Sequence, residues 1–216
     1  MKDWRTPNYI AIEGPIGVGK SSLTLKLASH FGAETILEKV EENPFLSGFY
    51  KDRRQFAFQA QMFFLLSRHK QLAEANQVSL FQQKVVSDYM LEKDRIFALI
   101  NLDSEEFKLY NQMYEMLLAR LARPDLVIFL SADTETLIRR IAKRGRDFES
   151  GMAEKYIDEV NEAYHRWFFH YDAGPSLQVN TSGIDFVENE EDFIKLLEKI
   201  SRPVKGREFF NPLGSM

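Results

Sequence analysis

The stretch Glu13–Ser22, EGPIGVGKSS, carries the residue types that cradle phosphate. Gly14, Pro15, Ile16, Gly17, Val18, Gly19, Lys20 and Ser21 satisfy the pattern G-x-x-x-x-G-K-[ST], with Ser22 continuing into a helical pattern. Glycines let successive backbone N–H groups turn inward on phosphate oxygens, and the N-terminus of the following helix adds partial positive charge. Lys20 would reach the β- and γ-phosphates, and the Ser21 hydroxyl would hold Mg²⁺. A second cluster, Arg139, Arg140, Lys143, Arg144 and Arg146, falls in RRIAKRGR. Arg140, Lys143 and Arg144 share one helical face, and Gly145 would end the helix and leave Arg146 on a loop. Such a run is ordinarily a solvated basic face. Placed after a strand of a parallel sheet, it could instead close over the phosphates, neutralise a transferring phosphoryl group and exclude water.

These loops need a scaffold. Short apolar runs at Tyr9–Ile12, Thr35–Leu37, Val85–Ser87 and Leu126–Leu130, with a weaker fifth at Leu177–Val179, read as buried strands. Helical patterns lie between them, at Ser22–Phe31, Arg54–Ala75, Ser104–Ala122, Thr134–Lys143, Glu154–His170 and Glu190–Ile200. The alternation predicts an α/β domain in which a five-stranded parallel sheet is covered by helices on both faces. One domain over residues 1–216 is expected, with the lid at about 139–150 and a loosely ordered tail after about 203, where no periodic face is present. Phe58, Phe63, Phe64, Leu65 and Leu66 crowd one helix on more than one side, which reads as core plus a subunit contact.

Composition narrows the partners. A net charge of -4 supplies no general field for a polyanion, so nucleic acid is not an expected partner. The absence of cysteine excludes disulfides and zinc knuckles and fits a reducing compartment. No apolar run is long enough for a signal core or a membrane span, so a soluble cytoplasmic protein is expected. A GTP-dependent switch is disfavoured, since no [NT]-K-x-D segment follows a strand. The chain length suits a small nucleoside or nucleotide kinase better than a motor or transport ATPase.

With these motifs in order, the sequence resembles the deoxynucleoside kinase family, particularly its bacterial deoxyguanosine and deoxyadenosine kinase branch, from about Tyr9 to Ile200. The resemblance is carried by the phosphate loop, ILEKVEENPFL, FQAQMFFLLSR, VVSDYMLEKDRIFA and RRIAKRGRDFE. It implies a P-loop kinase fold with an arginine-rich lid, ATP and Mg²⁺ as cofactors, a deoxynucleoside as acceptor, purines leading, and a homodimer. It makes Glu38, at the end of the second strand, the base for the 5′-hydroxyl. A positioned carboxylate contributes roughly 10²–10⁴-fold in such a step. It places Lys20, Arg140, Arg144 and Arg146 on the transferring phosphoryl, and Ser21 with Asp88 on the metal.

The resemblance further assigns Gln61 and Arg68 to the base and 5′ region, and Tyr50 with Glu149 to the sugar 3′-hydroxyl. Gln61 and Arg68, seven residues apart, share a helical face, although Gln59 competes for the glutamine assignment. Phe64 and Phe97 read as core before stacking platforms, and Glu41 and Glu42 as surface charge. Many relatives follow the acid with arginine; here Tyr89 follows Asp88, and Lys93 and Arg95 remain open as replacements. Two alternatives stand beside this reading: a nucleoside monophosphate kinase of the thymidylate type and a regulatory ATPase without a small acceptor.

Overall fold

The computed structural model describes residues 7–79, 84–146, 149 and 152–212. Six strands form one parallel sheet in the order β2-β3-β1-β4-β5-β6. They are β1 (Tyr9–Glu13), β2 (Glu34–Ile36), β3 (Val85–Ser87), β4 (Leu126–Ser131), β5 (Ser176–Asn180) and β6 (Arg207–Phe210). The helices are α1 (Lys20–Phe31), α2 (Leu46–Lys51), α3 (Arg53–Ser79), α4 (Glu92–Asn101), α5 (Ser104–Leu118), α6 (Thr134–Arg144), α7 (Glu154–Phe169) and α8 (Glu190–Ile200). The predicted mixed α/β architecture is present with one correction: the sheet has six strands, not five. The sixth pairs with β5 from Ser176↔Arg207 to Val179↔Phe210. It lies in the tail expected to be loosely ordered. Its four residues show no apolar alternation in the sequence: Phe210 packs against the core while the neighbouring Phe209 stays 67% exposed.

Alternate residues of the central strands feed two cores. Leu126, Ile128 and Leu130 of β4 pack with Ile10, Ile12, Leu23, Leu27 and Leu196 on the side of α1 and α8. Val127 and Phe129 face the other way, onto Tyr164 and Phe168 of α7 and Ile96 of α4. The Phe129 and Phe168 rings stack at 4.4 Å. Both faces are therefore covered, as a parallel sheet requires. On α3, Leu65 is buried and Leu66 is half exposed, which fits an apolar excess on more than one side of that helix.

Local signals set the helix ends nearest the cleft. α1 starts directly on left-handed Gly19 and stops at Gly32 with φ 60°, and α6 starts on Asp133, which caps Thr136, and stops at Gly145 with φ 64°. Among the described residues no helix is long and apolar enough to cross a membrane.

Candidate active site

The phosphate loop bridges the carboxyl end of β1 and the start of α1, at the centre of the sheet. Gly14 has φ 147°, and a Cβ there would stand 2.3 Å from the Leu130 carbonyl oxygen, so only glycine fits against β4. Gly17 (φ 83°) is equally tight against Ile141 and the Leu137 carbonyl of α6. The loop is thus wedged between the sheet and the helix that carries the arginines. Lys20 donates to the Gly14 carbonyl at 2.8 Å and the Pro15 carbonyl at 2.9 Å, so its ammonium lies over the loop. Burial, joined by repulsion from Lys93, lowers the Lys20 pKa to about 8 against the pull of Glu13, Glu38 and Asp88.

Asp88, one residue past β3, joins the two sides of the cleft. Its Oδ2 accepts from the Ser21 hydroxyl at 2.5 Å, and its Oδ1 from the backbone N–H of Glu38 at 2.8 Å. Ser21 and Asp88 together offer hard oxygen donors beside the loop. Among the described residues no group of three or more His, Cys, Asp or Glu could hold a metal. Such a sparse oxygen set suits Mg²⁺, which keeps waters and shares its shell with phosphate oxygens.

Glu38 does not end the second strand: β2 stops at Ile36. The residue lies in the following loop, placed by the Asp88 contact to its own amide and by a clamp on its side chain. Arg68 Nε donates to Glu38 Oε1 at 2.8 Å, Arg68 Nη2 also contacts Oε1, and Lys93 Nζ donates to Oε2 at 2.5 Å. Burial alone would push the Glu38 carboxyl up. The Arg68 and Lys93 charges outweigh it and hold the group well below the usual carboxylate range. Of the two candidates left open behind Tyr89, Lys93 is 3% exposed and pairs with Glu38, whereas Arg95, two residues on, points out toward Glu115 at 4.0 Å.

One cavity gathers Lys20, Ser21, Glu38, Tyr50, Gln61, Arg68, Asp88, Lys93, Arg144, Arg146 and Glu149 in its wall. Gln61 is buried and donates to the Asp94 carbonyl at 2.9 Å, while Gln59 is exposed, so the Arg68 spacing selects the inward glutamine. Arg68 lies over the Phe64 ring at 4.4 Å and pairs with Asp94 as well as Glu38. Asp94 accepts in turn from the Tyr110 hydroxyl at 2.7 Å. Phe97 meets Tyr164 edge-to-face and lines the same cavity, so Phe64 and Phe97 are wall as well as core. Burial raises the Tyr50 phenol above its usual range and keeps it a proton donor. Sequence reasoning missed Asp94 and Tyr110; an acid between Lys93 and Arg95 reads as solvated charge until α4 is seen to bury it.

The basic cluster divides. Arg144 clasps Glu149 through Nε at 3.2 Å and Nη2 at 2.5 Å, and it borders both the cavity around Glu38 and the groove outside the phosphate loop. Arg146 borders both as well and pairs with Glu41 at 3.4 Å across the mouth. Arg140 departs from expectation. Its guanidinium donates to the Val18 carbonyl (3.4 Å), Thr181 Oγ1 (2.9 Å), the Thr181 carbonyl (2.7 Å) and the Ile184 carbonyl (3.2 Å). One helical turn before Arg144, it meets the loop after β5, lines only the groove outside the phosphate loop of the two, and braces the loop after β5 against the phosphate loop. Of the expected lid, residues 147, 148 and 150 lie outside the described residues.

Comparison with known proteins bears on this geometry. A sequence model of the deoxynucleoside kinase family matches residues 10–205. A deoxyguanosine kinase from Bacillus subtilis is 38% identical over 205 residues, covering 93% of this chain and 97% of its own. A deoxyadenosine kinase from Lactobacillus acidophilus is 33% identical over 210 residues, covering 91% and 96%. Among solved structures, a deoxyadenosine kinase from M. mycoides with bound dATP superposes with a TM-score of 0.76 at 30% identity, covering 90% of this chain and 100% of that one.

Proposed function

The chain belongs to the deoxynucleoside kinase family, and from that premise we propose that it transfers the γ-phosphoryl of ATP to the 5′-hydroxyl of a purine deoxynucleoside, deoxyguanosine or deoxyadenosine. The observation that carries this reading is the ionised Glu38 carboxylate, fixed by Arg68 and Lys93 in the cavity that Lys20, Ser21 and Arg144 also line. Purine preference is supported by the two relatives compared above, which are named deoxyguanosine kinase and deoxyadenosine kinase.

In this reading the phosphate-loop amides and Lys20 hold the β- and γ-phosphates, and Gln61 with Arg68 meets the edge of the base between Phe64 and Phe97. Tyr50 and Glu149 grip the sugar, so the Arg144–Glu149 clasp ties acceptor binding to the arginine that borders the donor. Glu38 takes the proton of the 5′-hydroxyl as its oxygen bonds the γ-phosphorus and the bond to the β-phosphate oxygen breaks, releasing ADP. A strongly ionised carboxylate suffices because the transition state is loose and the proton leaves late. Ser21 and Asp88 would hold Mg²⁺, which supplies charge neutralisation between the β- and γ-phosphates. Arg144, Arg146 and Lys93 add fixed positive charge where the phosphoryl passes; Lys93 stands in for the arginine that Tyr89 displaces.

A panel of four deoxynucleosides and thymidine monophosphate with labelled ATP tests the assignment. Turnover is expected with deoxyguanosine or deoxyadenosine; preference for thymidine monophosphate would move the chain to monophosphate chemistry. For Arg144→Gln, kcat is expected to fall roughly 10- to 100-fold, toward the low end for losing one charge-stabilising donor because Arg146 remains, while donor affinity changes by less than about threefold. A loss confined to affinity would make Arg144 a binding contact. We further assign a homodimer across α4 and α7, where Leu99 and Phe169 are 62% and 71% exposed beside a groove floored by Ile96 and Trp167. Light scattering should give twice 25.2 kDa, and Leu99→Glu should shift the population toward monomer.

A further inference from the structure

Glu13 closes β1 and belongs to none of the binding sets above. It is completely buried at the centre of the sheet, and its one carboxylate reaches three parts of the cleft. Oε1 accepts from the Met90 N–H at 2.7 Å, while Oε2 accepts from the Gly14 N–H at 3.2 Å and the Tyr164 hydroxyl at 3.3 Å. Gly14 opens the phosphate loop. Met90 lies two residues after Asp88 and three before Lys93, in the segment that sets both. Tyr164 lines the acceptor cavity.

A fully buried carboxylate is costly unless it is paired and hydrogen-bonded. Burial pushes Glu13 up to about 7, with Lys93 and then Lys20 opposing it, followed by the Met90 and Gly14 amides. Each ammonium belongs to one side of the cleft. The chain thus keeps an expensive group where a donor-side amide and an acceptor-side amide both need an acceptor, and no neutral side chain of that size supplies two carboxylate oxygens. Gly14 packs close to β4, where a Cβ would stand 2.3 Å from the Leu130 carbonyl oxygen.

We propose that Glu13 is a positioning residue that ties the phosphate loop to the Asp88–Lys93 segment, so that filling the donor loop raises affinity for the acceptor. This rests on the reading of one cleft with a donor side and an acceptor side given above. Glu13→Gln keeps the volume but turns an amide NH₂ toward one of the two backbone donors, which breaks one arm of the strut.

The test is calorimetric titration of deoxyguanosine with and without a non-hydrolysable ATP analogue, on the wild type and Glu13→Gln. In the wild type the analogue should tighten deoxyguanosine about fivefold or more, and in the variant less than about twofold, while each ligand alone binds within about threefold of wild type. A merely structural role would lower the melting temperature and leave the coupling factor intact. Amide exchange on the wild type supplies a second readout independent of the variant's folding: the analogue alone should slow exchange at Met90. Equal coupling in both proteins, independent binding in the wild type, or Met90 exchange indifferent to the analogue overturns the strut. Wild-type turnover on the same preparation separates the two levels: turnover without coupling removes the strut alone, and no turnover with any deoxynucleoside removes the reading beneath it.

Discussion

Glu38→Gln is expected to lower kcat by roughly 10²- to 10⁴-fold, the contribution of a positioned base, with nucleotide affinity nearly unchanged. The glutamine is isosteric and leaves the phosphate loop untouched: Lys20 keeps its Gly14 and Pro15 contacts, and Asp88 still receives the residue-38 amide and the Ser21 hydroxyl. What changes is the acceptor's chemistry. The amide oxygen cannot take the 5′-hydroxyl proton, and the charge that Arg68 and Lys93 enclose is gone. Rapid-quench single turnovers separate this from binding or product release, and an unchanged chemical step removes Glu38 from the mechanism.

Arg68→Met is expected to act on stability and catalysis together. Arg68 is 5% exposed and contacts both Glu38 and Asp94. Removing the shared cation leaves two nearly buried carboxylates, with only Lys93 still on Glu38. Breaking a buried ion pair from one side costs about 3–5 kcal/mol. In a domain of this size that corresponds to a fall in Tm of roughly 6–20 °C, read by calorimetry. The sign with pH follows from the depressed Glu38 pKa. Stability from the clamp is fully present above the unfolded carboxylate value of about 4.3 and is lost as pH falls below it toward the folded value. The wild type and Arg68→Met should therefore converge in stability on acidification. With Arg68 absent, Lys93 alone opposes burial, so the Glu38 carboxyl should move up from its depressed value and kcat of the variant should begin to fall at a higher pH on the acidic side than kcat of the wild type. Identical pH profiles would contradict the clamp.

The sequence made some of this cleft legible and hid the rest for identifiable reasons. The phosphate loop is readable because its glycines answer local backbone demands, at Gly14 a left-handed φ and no room for a Cβ. β1, β3 and β4 are readable because both faces are buried, which makes them short continuous apolar runs. β6 is an edge strand of four residues stabilised from one side, and its residues carry no such imprint. Lys93 and Arg95 are indistinguishable as letters; two positions apart on α4 they point to different sides, and only the packing of that helix on α3 and α7 buries the first. Arg140 and Arg144 share a face, yet one turn of α6 moves a guanidinium from the loop after β5 to the mouth of the cavity. Glu13 directly precedes the phosphate-loop pattern, yet its part is not legible there, because its partners are two backbone amides and a distant phenol that no motif records.

Release of ADP from ATP, followed with and without deoxyguanosine and deoxyadenosine and matched against formation of the nucleoside 5′-monophosphate, tests the shared donor–acceptor cleft most directly. The expected result is one monophosphate per ADP, with release dependent on the purine deoxynucleoside. ADP released equally fast without any acceptor, and with no monophosphate formed, would contradict it.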